Sequence, residues 1–234
     1  LAQVFYERGE YGNARKTIQG NLEAVTEIND LEQIFYSTYL KGRVELAEGN
    51  LSLARQILGE AFAIAEKEND QNHTGLVKAV LGLIDCYEGD FARGKEAIEM
   101  GIETVRKKYP PDAWHLLSYQ SHALWLEKDL LGAALSYRDT IKELQGNFYF
   151  IRIPECLEGL GKIAVTQNDL ERAARLFGAA EAMREKMGTP IPPVQRGDYD
   201  AHVQSVRTAF ESSWSYGQAM TMEQAVDYAV EKNQ

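Results

Sequence analysis

One short segment has part of the sequence of a phosphate-binding loop. Residues 156–163 read CLEGLGKI, in which Gly161 precedes Lys162 as glycine precedes lysine in a P-loop. The segment lacks both the leading glycine and the following serine or threonine, which hold the phosphate and its magnesium ion. It also lies within a predicted helix, whereas a P-loop follows a strand. We therefore interpret Gly161 as a helix-packing residue and predict no nucleotide site.

The histidines form no recognisable metal-binding motif. His115 and His122 are seven residues apart, so they share one helix face but lie too far apart to bind one metal ion. His73 is expected in a loop and His202 in a terminal helix, and neither is close to a cysteine in the sequence. The sequence therefore predicts no metal site and no cofactor.

Carboxylates and thiols give no stronger indication of catalysis. Glu155 and Glu158 are spaced like many acidic pairs on helix faces, which alone does not indicate acid–base chemistry. Cys86 and Cys156 fall on separate predicted helices, outside any CxxC motif, so we expect reduced core residues. No catalytic residue is predicted, and the chain is expected not to be an enzyme.

The elements that would position any site repeat along the chain. Short turn sequences such as Gly-Glu-Tyr and Asn-Asp-Leu recur at nearly constant spacing, starting at positions 9, 49, 89, 128 and 168. A small residue stands seven positions before each turn, namely Ala2, Gly42, Gly82, Ser121 and Gly161, and the glycines among them are predicted to let paired helices approach closely. A fixed period near 40 is typical of helical solenoids, in which each unit buries its apolar face on its neighbours.

The segments between the turns predict helices. Apolar residues recur at steps of three and four, as in the segment 11–28, and this spacing is typical of amphipathic helices. The residues placed to cap the second helix of each pair are Asn50, Asp90, Asp129 and Asp169. After Met187 the regular spacing stops, and two helices, from about 195 to 212 and from Thr221 onward, are predicted as a cap.

The predicted fold class is all-α, a right-handed α–α superhelix of five helix–turn–helix repeats with a C-terminal helical cap. The expected repeats occupy residues 1–29, 30–70, 71–110, 111–147 and 148–187, and the cap occupies 188–234.

This skeleton of a small residue, a turn glycine, an aromatic residue or leucine, and an alanine resembles the tetratricopeptide repeat, whose usual period is 34. The C-terminal part of the chain is similar to the end of the repeat region in LuxR-, MalT- and AfsR-type transcriptional regulators and related STAND-like ATPases. The similarity lies in the run DLERAARLFGAAEAMRE at 169–185, followed by PIPP, Tyr199 and GQAMTMEQAVDYA at 217–229. The resemblance implies a region that senses a small molecule or a partner, with ATPase and DNA-binding modules elsewhere.

Repeats of this kind use the first helix of each pair to line a concave groove. Mapping that rule onto this chain selects Leu83 and ten aromatic or charged residues, which are the candidates for the site: Tyr36, Tyr39, Arg43, Tyr87, His115, His122, Trp125, Glu155, Glu158 and Lys162. A groove of mixed aromatic and charged side chains suits a protein, a peptide or a small polar effector. Packing in the core is the alternative role for these aromatic residues.

Charge and hydropathy limit the possible partners. The chain has 35 acidic and 25 basic residues, and its net charge of −10 opposes binding to nucleic acid or anionic lipid. Neither an apolar run long enough to cross a membrane nor a signal peptide is present, so we expect a cytoplasmic protein. Because Leu1 already lies in a helical pattern, the chain is expected to belong to a longer protein.

The predicted function is a sensor or scaffold region of a bacterial signal-transduction ATPase or transcriptional regulator. The alternatives are a structural adaptor and a helical enzyme domain.

Overall fold

The structure, a computed structural model, describes residues 1–145 and 150–231. Within those residues the chain is all-helical and contains no strand, which confirms the predicted class. The helices are α1 (Ala2–Glu7), α2 (Tyr11–Glu27), α3 (Leu31–Glu48), α4 (Leu51–Lys67), α5 (Gln71–Tyr87), α6 (Phe91–Lys108), α7 (Pro110–Ala113), α8 (Leu117–Glu127), α9 (Leu130–Leu144), α10 (Ile153–Thr166), α11 (Leu170–Met187), α12 (Pro193–Val203), α13 (Glu211–Gln218) and α14 (Met222–Val230). Short 3₁₀ turns occur at Trp114–Leu116 and Phe150–Arg152.

The chain forms two compact units. Unit 1 contains Leu1–Leu116 and Pro190–Gln195, and unit 2 contains Leu117–Thr189 and the chain from Arg196 onward. In unit 1, Pro190 lies against the turn at Gly9 and Val194 lies against the turn at Gly49. The predicted end of the repeats at residue 187, with the cap beginning at residue 188, stays a prediction. The predicted boundary between repeats four and five, at residues 147 and 148, lies outside the described residues.

The predicted turn within each helix pair is present at its predicted place. Each of these turns contains one residue at positive φ, namely Gly9, Gly49, Gly89, Lys128 and Asn168. Glycine adopts this left-handed conformation without strain, whereas a residue with a Cβ does so at a cost of roughly 1–2 kcal/mol. Lys128 and Asn168 therefore hold the same turn geometry at a greater energetic cost.

Three of the four predicted helix caps are confirmed. The carboxylates of Asp90, Asp129 and Asp169 accept hydrogen bonds from amides in the first turns of α6, α9 and α11, at 3.3, 2.9 and 3.3 Å. The prediction for Asn50 is wrong, because its side chain caps no amide of the described chain. Its Nδ2 instead donates to Glu45 Oε2 at 2.8 Å.

Two helix starts differ from the sequence prediction. His73 lies in the first turn of α5 rather than in a loop, because Asp70 accepts hydrogen bonds from the amides of Asn72 and His73 at 2.8 and 3.1 Å. Pro110, which the predicted boundary assigns to the third repeat, begins α7, since a proline fits the first turn of a helix, where no intrahelical amide bond is required. The first helix of the fourth pair is consequently divided into α7, the 3₁₀ turn at Trp114–Leu116, and α8.

The C-terminal segment contains three helices instead of two. The helix predicted at about 195–212 ends at Val203, and α13 begins at Glu211. The predicted start of the last helix is confirmed, because Thr221 and Gln224 form a reciprocal capping box. α13 packs closely on α11, where a Cβ added at Gly178 or at Gly217 would collide with the backbone of the other helix.

Glycines bring α5 and α6 of unit 1 into backbone contact. A Cβ at Gly82 would lie 2.5 Å from the carbonyl oxygen of Gly94, and one at Gly101 would lie 2.6 Å from that of Gly75. The predicted packing role of the small residues is therefore confirmed at Gly82. It is also confirmed at Gly161 of unit 2, where an added Cβ would lie 3.0 Å from the Phe177 ring.

Ion pairs join successive helix pairs of unit 1 at the repeat spacing. Arg15 of α2 donates to two carboxylates of α3, and Arg55 of α4, one repeat period later in the sequence, donates to two carboxylates of α5. The acceptors are Glu45 and Glu48 for Arg15, and Asp85 and Glu88 for Arg55. The second helix of one pair is thus tied to the first helix of the next pair in the same way twice.

Candidate functional site

The ten predicted groove residues are divided equally between the two units. Unit 1 contains Tyr36, Tyr39, Arg43, Tyr87 and His115, and unit 2 contains His122, Trp125, Glu155, Glu158 and Lys162. Within each unit, some of these side chains contact one another and others have different partners.

Three of the unit 1 residues form one group, which we call the Tyr39 cluster: Tyr39, Arg43 and His115, together with Tyr6. The Tyr39 hydroxyl lies 3.3 Å from His115 Nε2, at hydrogen-bond distance. The Arg43 guanidinium lies over the rings of Tyr6 and Tyr39, at 4.6 and 5.6 Å from their centroids. Tyr39 and Arg43 are buried, so cation–π contacts hold the cation inside the unit.

Tyr36 and Tyr87 lie outside the Tyr39 cluster. The Tyr36 ring contacts the Phe35 and His73 rings edge-on, at centroid distances of 5.4 and 5.0 Å. With 39% of its surface exposed, Tyr36 is one of the large aromatic side chains that a partner can reach. Tyr87, the last residue of α5, is half-buried. Of the five predicted residues in unit 1, Tyr36 is therefore the one whose side chain is exposed, and Tyr109 is a second exposed aromatic residue of this unit.

In unit 2 two of the predicted residues meet on a carboxylate of α12. We call Trp125, Lys162, Asp198 and His202 the Lys162 cluster. Lys162 Nζ and Trp125 Nε1 donate to the same oxygen, Asp198 Oδ2, at 2.7 and 3.0 Å. Lys162 Nζ also lies 4.8 Å from the centroid of the Trp125 ring, and the His202 ring contacts Trp125 edge-on at 5.3 Å.

The charges of the Lys162 cluster are strongly coupled. Lys162 and Trp125 are buried, so the ammonium is largely removed from water. Burial alone would raise the pKa of the Asp198 carboxyl, but the nearby Lys162 ammonium and the Trp125 N–H lower this pKa below its ordinary value. Asp198 is consequently ionised at neutral pH and supplies the counter-charge that a buried lysine requires.

Glu158 and Glu155 have arginine neighbours. Glu158, also buried, accepts two hydrogen bonds from the Arg184 guanidinium of α11, at 2.5 and 2.8 Å. Arg184 donates in addition to the carbonyl of Thr189 at 3.0 Å. A carboxylate oxygen of Glu155 lies 4.0 Å from Arg152. Glu158 therefore stabilises the packing of α10 on α11, with little of its surface available to a ligand.

His122 lies deep in unit 2, close to charges from two other helices. Burial and, to a smaller extent, the Lys162 ammonium lower its pKa to about 4, while Glu155 and Asp198 act in the opposite direction. The imidazole is therefore neutral at physiological pH. Protonating it would place a second positive charge beside Lys162.

The depressed pKa of His122 predicts a loss of stability in mild acid. The unfolded chain binds a proton near pH 6.5, whereas the folded chain does so near pH 4, so stability present above pH 6.5 is lost as the pH falls between these values. We expect His122 to account for a loss of about 2 kcal/mol between pH 7 and pH 5. Urea unfolding of the chain and of His122→Gln at both pH values measures it. An equal loss in both chains would contradict the prediction.

The cysteines are in the core, as predicted. Cys86 and Cys156 are free and buried. Burial, followed by the neighbouring carboxylates of Glu155 and Glu158, raises the pKa of the Cys156 thiol well above its ordinary value. A thiol held in its neutral form is a poor nucleophile.

Sequence reasoning did not identify Asp198, His202 and Arg184 as partners of the candidate residues. The sequence places all three outside the first helices of the repeats, and the groove rule selects residues only from those first helices. The available signal was Lys162 itself, because a lysine among buried positions of α10 requires a carboxylate from another element. Asp198, which precedes the buried Tyr199 on an amphipathic helix, satisfies that requirement.

Comparison with known proteins does not assign a family. No protein-family model matches the chain, and no curated protein matches it. In the part of the chain that the structure describes, no group of three or more histidine, cysteine, aspartate or glutamate side chains is arranged to hold a metal ion. None of the described helices combines the length and apolarity needed to cross a membrane.

Proposed function

We propose that this chain is a non-enzymatic protein- or ligand-binding region, built from helical repeats, of a larger bacterial signal-transduction ATPase or transcriptional regulator. The tetratricopeptide-like identity and the right-handed superhelix inferred from the sequence belong to this proposal. A structural adaptor that holds proteins together without sensing is the second candidate.

One observation carries the proposal: helix pairs of unit 1 are joined by the same arginine–carboxylate contact at Arg15 and again at Arg55, one repeat period apart. A repeated interface between neighbouring units is typical of solenoid proteins, which present extended binding surfaces. In such proteins curvature is the sum of small rotations between units, so a partner that favours one curvature shifts the population toward it. This would let a repeat region transmit partner binding to an attached module.

The proposed contact surface of unit 1 is centred on Tyr36. Its ring is supported by Phe35 and His73, whose own rings stack at 3.9 Å, so the tyrosine is held rigidly while remaining accessible. Rigid, partly exposed aromatic side chains are frequent anchors of protein interfaces.

The test is photo-crosslinking in cells with p-benzoylphenylalanine at position 36. This uncharged residue extends an aromatic ring like that of tyrosine by a benzoyl group, so it reports what lies next to position 36 without introducing a charge. We expect a discrete crosslinked adduct whose protein component is identified by mass spectrometry. The matched control places the same photo-crosslinker at Glu60, an exposed position on α4.

Two results would count against the proposal. One is the absence of any adduct at position 36, and the other is the same set of adducts at positions 36 and 60. Hydrogen exchange then separates a sensor from an adaptor. In a sensor, the identified partner changes protection in helices remote from Tyr36, whereas in an adaptor protection changes only around the contact.

A further inference from the structure

We propose that the surface of unit 2 beneath α12 is a binding site for an acidic amphipathic helix of a partner protein, and that α12 occupies this site in the structure as an internal substitute. The inference rests on the proposed function only in taking the chain to bind protein partners. The partner helix would present a carboxylate to Lys162 and Trp125 in place of Asp198.

The first argument is the convergence of two buried donors on one exchangeable acceptor. Lys162 and Trp125 are both buried, yet the Asp198 side chain that receives their hydrogen bonds is 36% exposed. The two donors thus belong to α8 and α10, and the anionic acceptor belongs to α12 and is reached by water. A buried lysine without a carboxylate is strongly unfavourable, so whatever replaces α12 must supply a negative charge.

The second argument is the pattern of side chains by which α12 is attached. Asp198 and His202 contact the Lys162 cluster, while Tyr199 contacts the Phe177 ring edge-on at 5.6 Å and Val203 is buried. These four positions lie on one stripe of the helix, in two adjacent rows that each advance by one turn. Such a stripe is how an amphipathic helix docks in a groove formed by another protein.

The third argument is the contrast between α12 and the helix that follows it. α13 meets α11 through glycines whose backbones are in contact, a geometry that only closely matched surfaces allow. α12 buries two side chains, Tyr199 and Val203, Asp198 attaches it through an ion pair with Lys162, and Val194 near its start lies against the turn at Gly49. From Arg196 onward, in contrast to α13, α12 therefore makes contacts that another sequence can reproduce.

The partner's chemistry follows from the same four positions. Its helix should present aspartate or glutamate next to an aromatic residue, with an aromatic or histidine residue and an apolar residue one turn later. The carboxylate provides recognition by charge, and the aromatic residue fills the space beside Phe177.

The experiment uses the intact chain and a synthetic peptide of residues 193–203, PVQRGDYDAHV, labelled with a fluorophore. Asp198→Lys in the chain places a second ammonium beside Lys162 and is expected to detach α12 from Arg196 to Val203. Fluorescence anisotropy should show the peptide binding to this variant at least about tenfold more tightly than to the unchanged chain, whose site is already occupied. The same peptide with Asp198→Asn should lose most of that affinity, and a scrambled peptide should not bind.

Further variants keep the test decisive. Hydrogen exchange of α10 and α11 shows whether unit 2 stays folded, and if Asp198→Lys unfolds it, Asp198→Asn in the chain replaces that variant. Lys162→Met in the opened chain should abolish peptide binding. Failure of both opened variants to bind the peptide above the scrambled control would overturn the proposal, as would equal binding of the Asp198→Asn peptide.

One other outcome would count against the proposal. A dimer of the unchanged chain that the peptide dissociates would overturn the choice of a partner protein, because α12 of a second copy would then be the occupant. The crosslinking experiment at position 36 probes unit 1, so failure of the proposed function and failure of this inference give separate results.

Discussion

Replacing Glu158 by leucine is expected to destabilise the chain by about 3–5 kcal/mol, because the substitution leaves the Arg184 guanidinium without its buried carboxylate. Arg184 keeps its hydrogen bond to the Thr189 carbonyl, but a neutral acceptor does not offset the cost of a buried cation. Urea unfolding followed by tryptophan fluorescence measures the loss, since Trp125 and Trp214 both belong to unit 2. Protection of α10 and α11 in hydrogen exchange should decrease together.

The double variant Glu158→Leu with Arg184→Met provides the internal control. Replacing both members of a buried ion pair by apolar residues is often close to neutral, so most of the lost stability should return. Asp139→Ala is the matched surface control, because its pair with Lys142 is largely exposed and should contribute at most about 1 kcal/mol. A loss below about 1 kcal/mol for Glu158→Leu alone would show that Arg184 finds another counter-charge.

Adding a single methyl group at Gly82 is expected to destabilise unit 1 by about 2 kcal/mol, although alanine is a better helix former than glycine. The added Cβ would lie 2.5 Å from the Gly94 carbonyl oxygen and 3.0 Å from side-chain atoms of Ala97 and Ile98. A backbone oxygen cannot rotate away, so α5 and α6 must separate. Circular dichroism at 222 nm in urea measures the change.

Gly59→Ala is the matched substitution with the opposite expected sign. Apart from its own helix, no atom of the described chain lies within 4 Å of a Cβ at Gly59. Alanine there should stabilise α4 by roughly 0.5–1 kcal/mol through helix propensity alone. Equal changes in stability for Gly82→Ala and Gly59→Ala would contradict the prediction, because the close contact of α5 with α6 would then have no measurable effect. Combining Gly82→Ala with Gly94→Ala should cost less than the sum, since the first substitution already separates the helices.

The local features of this fold were predictable because they depend on residues close in sequence. The regular period located the five turns, and the aspartates at 90, 129 and 169 cap the helices that begin beside them. The Asn50 cap was wrong because its outcome depends on a residue from another helix. Arg15 donates a hydrogen bond to one oxygen of the Glu45 carboxylate, and the other oxygen accepts a hydrogen bond from the side-chain amide of Asn50.

The candidate site was less predictable for the same reason. Trp125, Glu158 and Lys162 were assigned to a groove from their positions on the first helices of the repeats, and the structure places all three in buried contacts with α11 or α12. No periodicity in the sequence indicates where α12 lies, since its segment is outside the repeat. Tyr36, which the same rule selected, is exposed in the structure, whereas Tyr39 and Arg43 on the same helix are buried.

Arg15 and Arg55 each reach across to the next helix pair, so part of the free energy that holds one pair in place resides at its boundary with its neighbour. When one helix pair opens, the arginine of the neighbouring pair loses the carboxylates that it binds. The neighbouring pair is therefore destabilised as well. We therefore expect fraying of unit 1 to start at an end and to advance by whole helix pairs rather than residue by residue. Under tension, we expect unit 1 to yield in steps of about 40 residues, the spacing of its turns in the sequence.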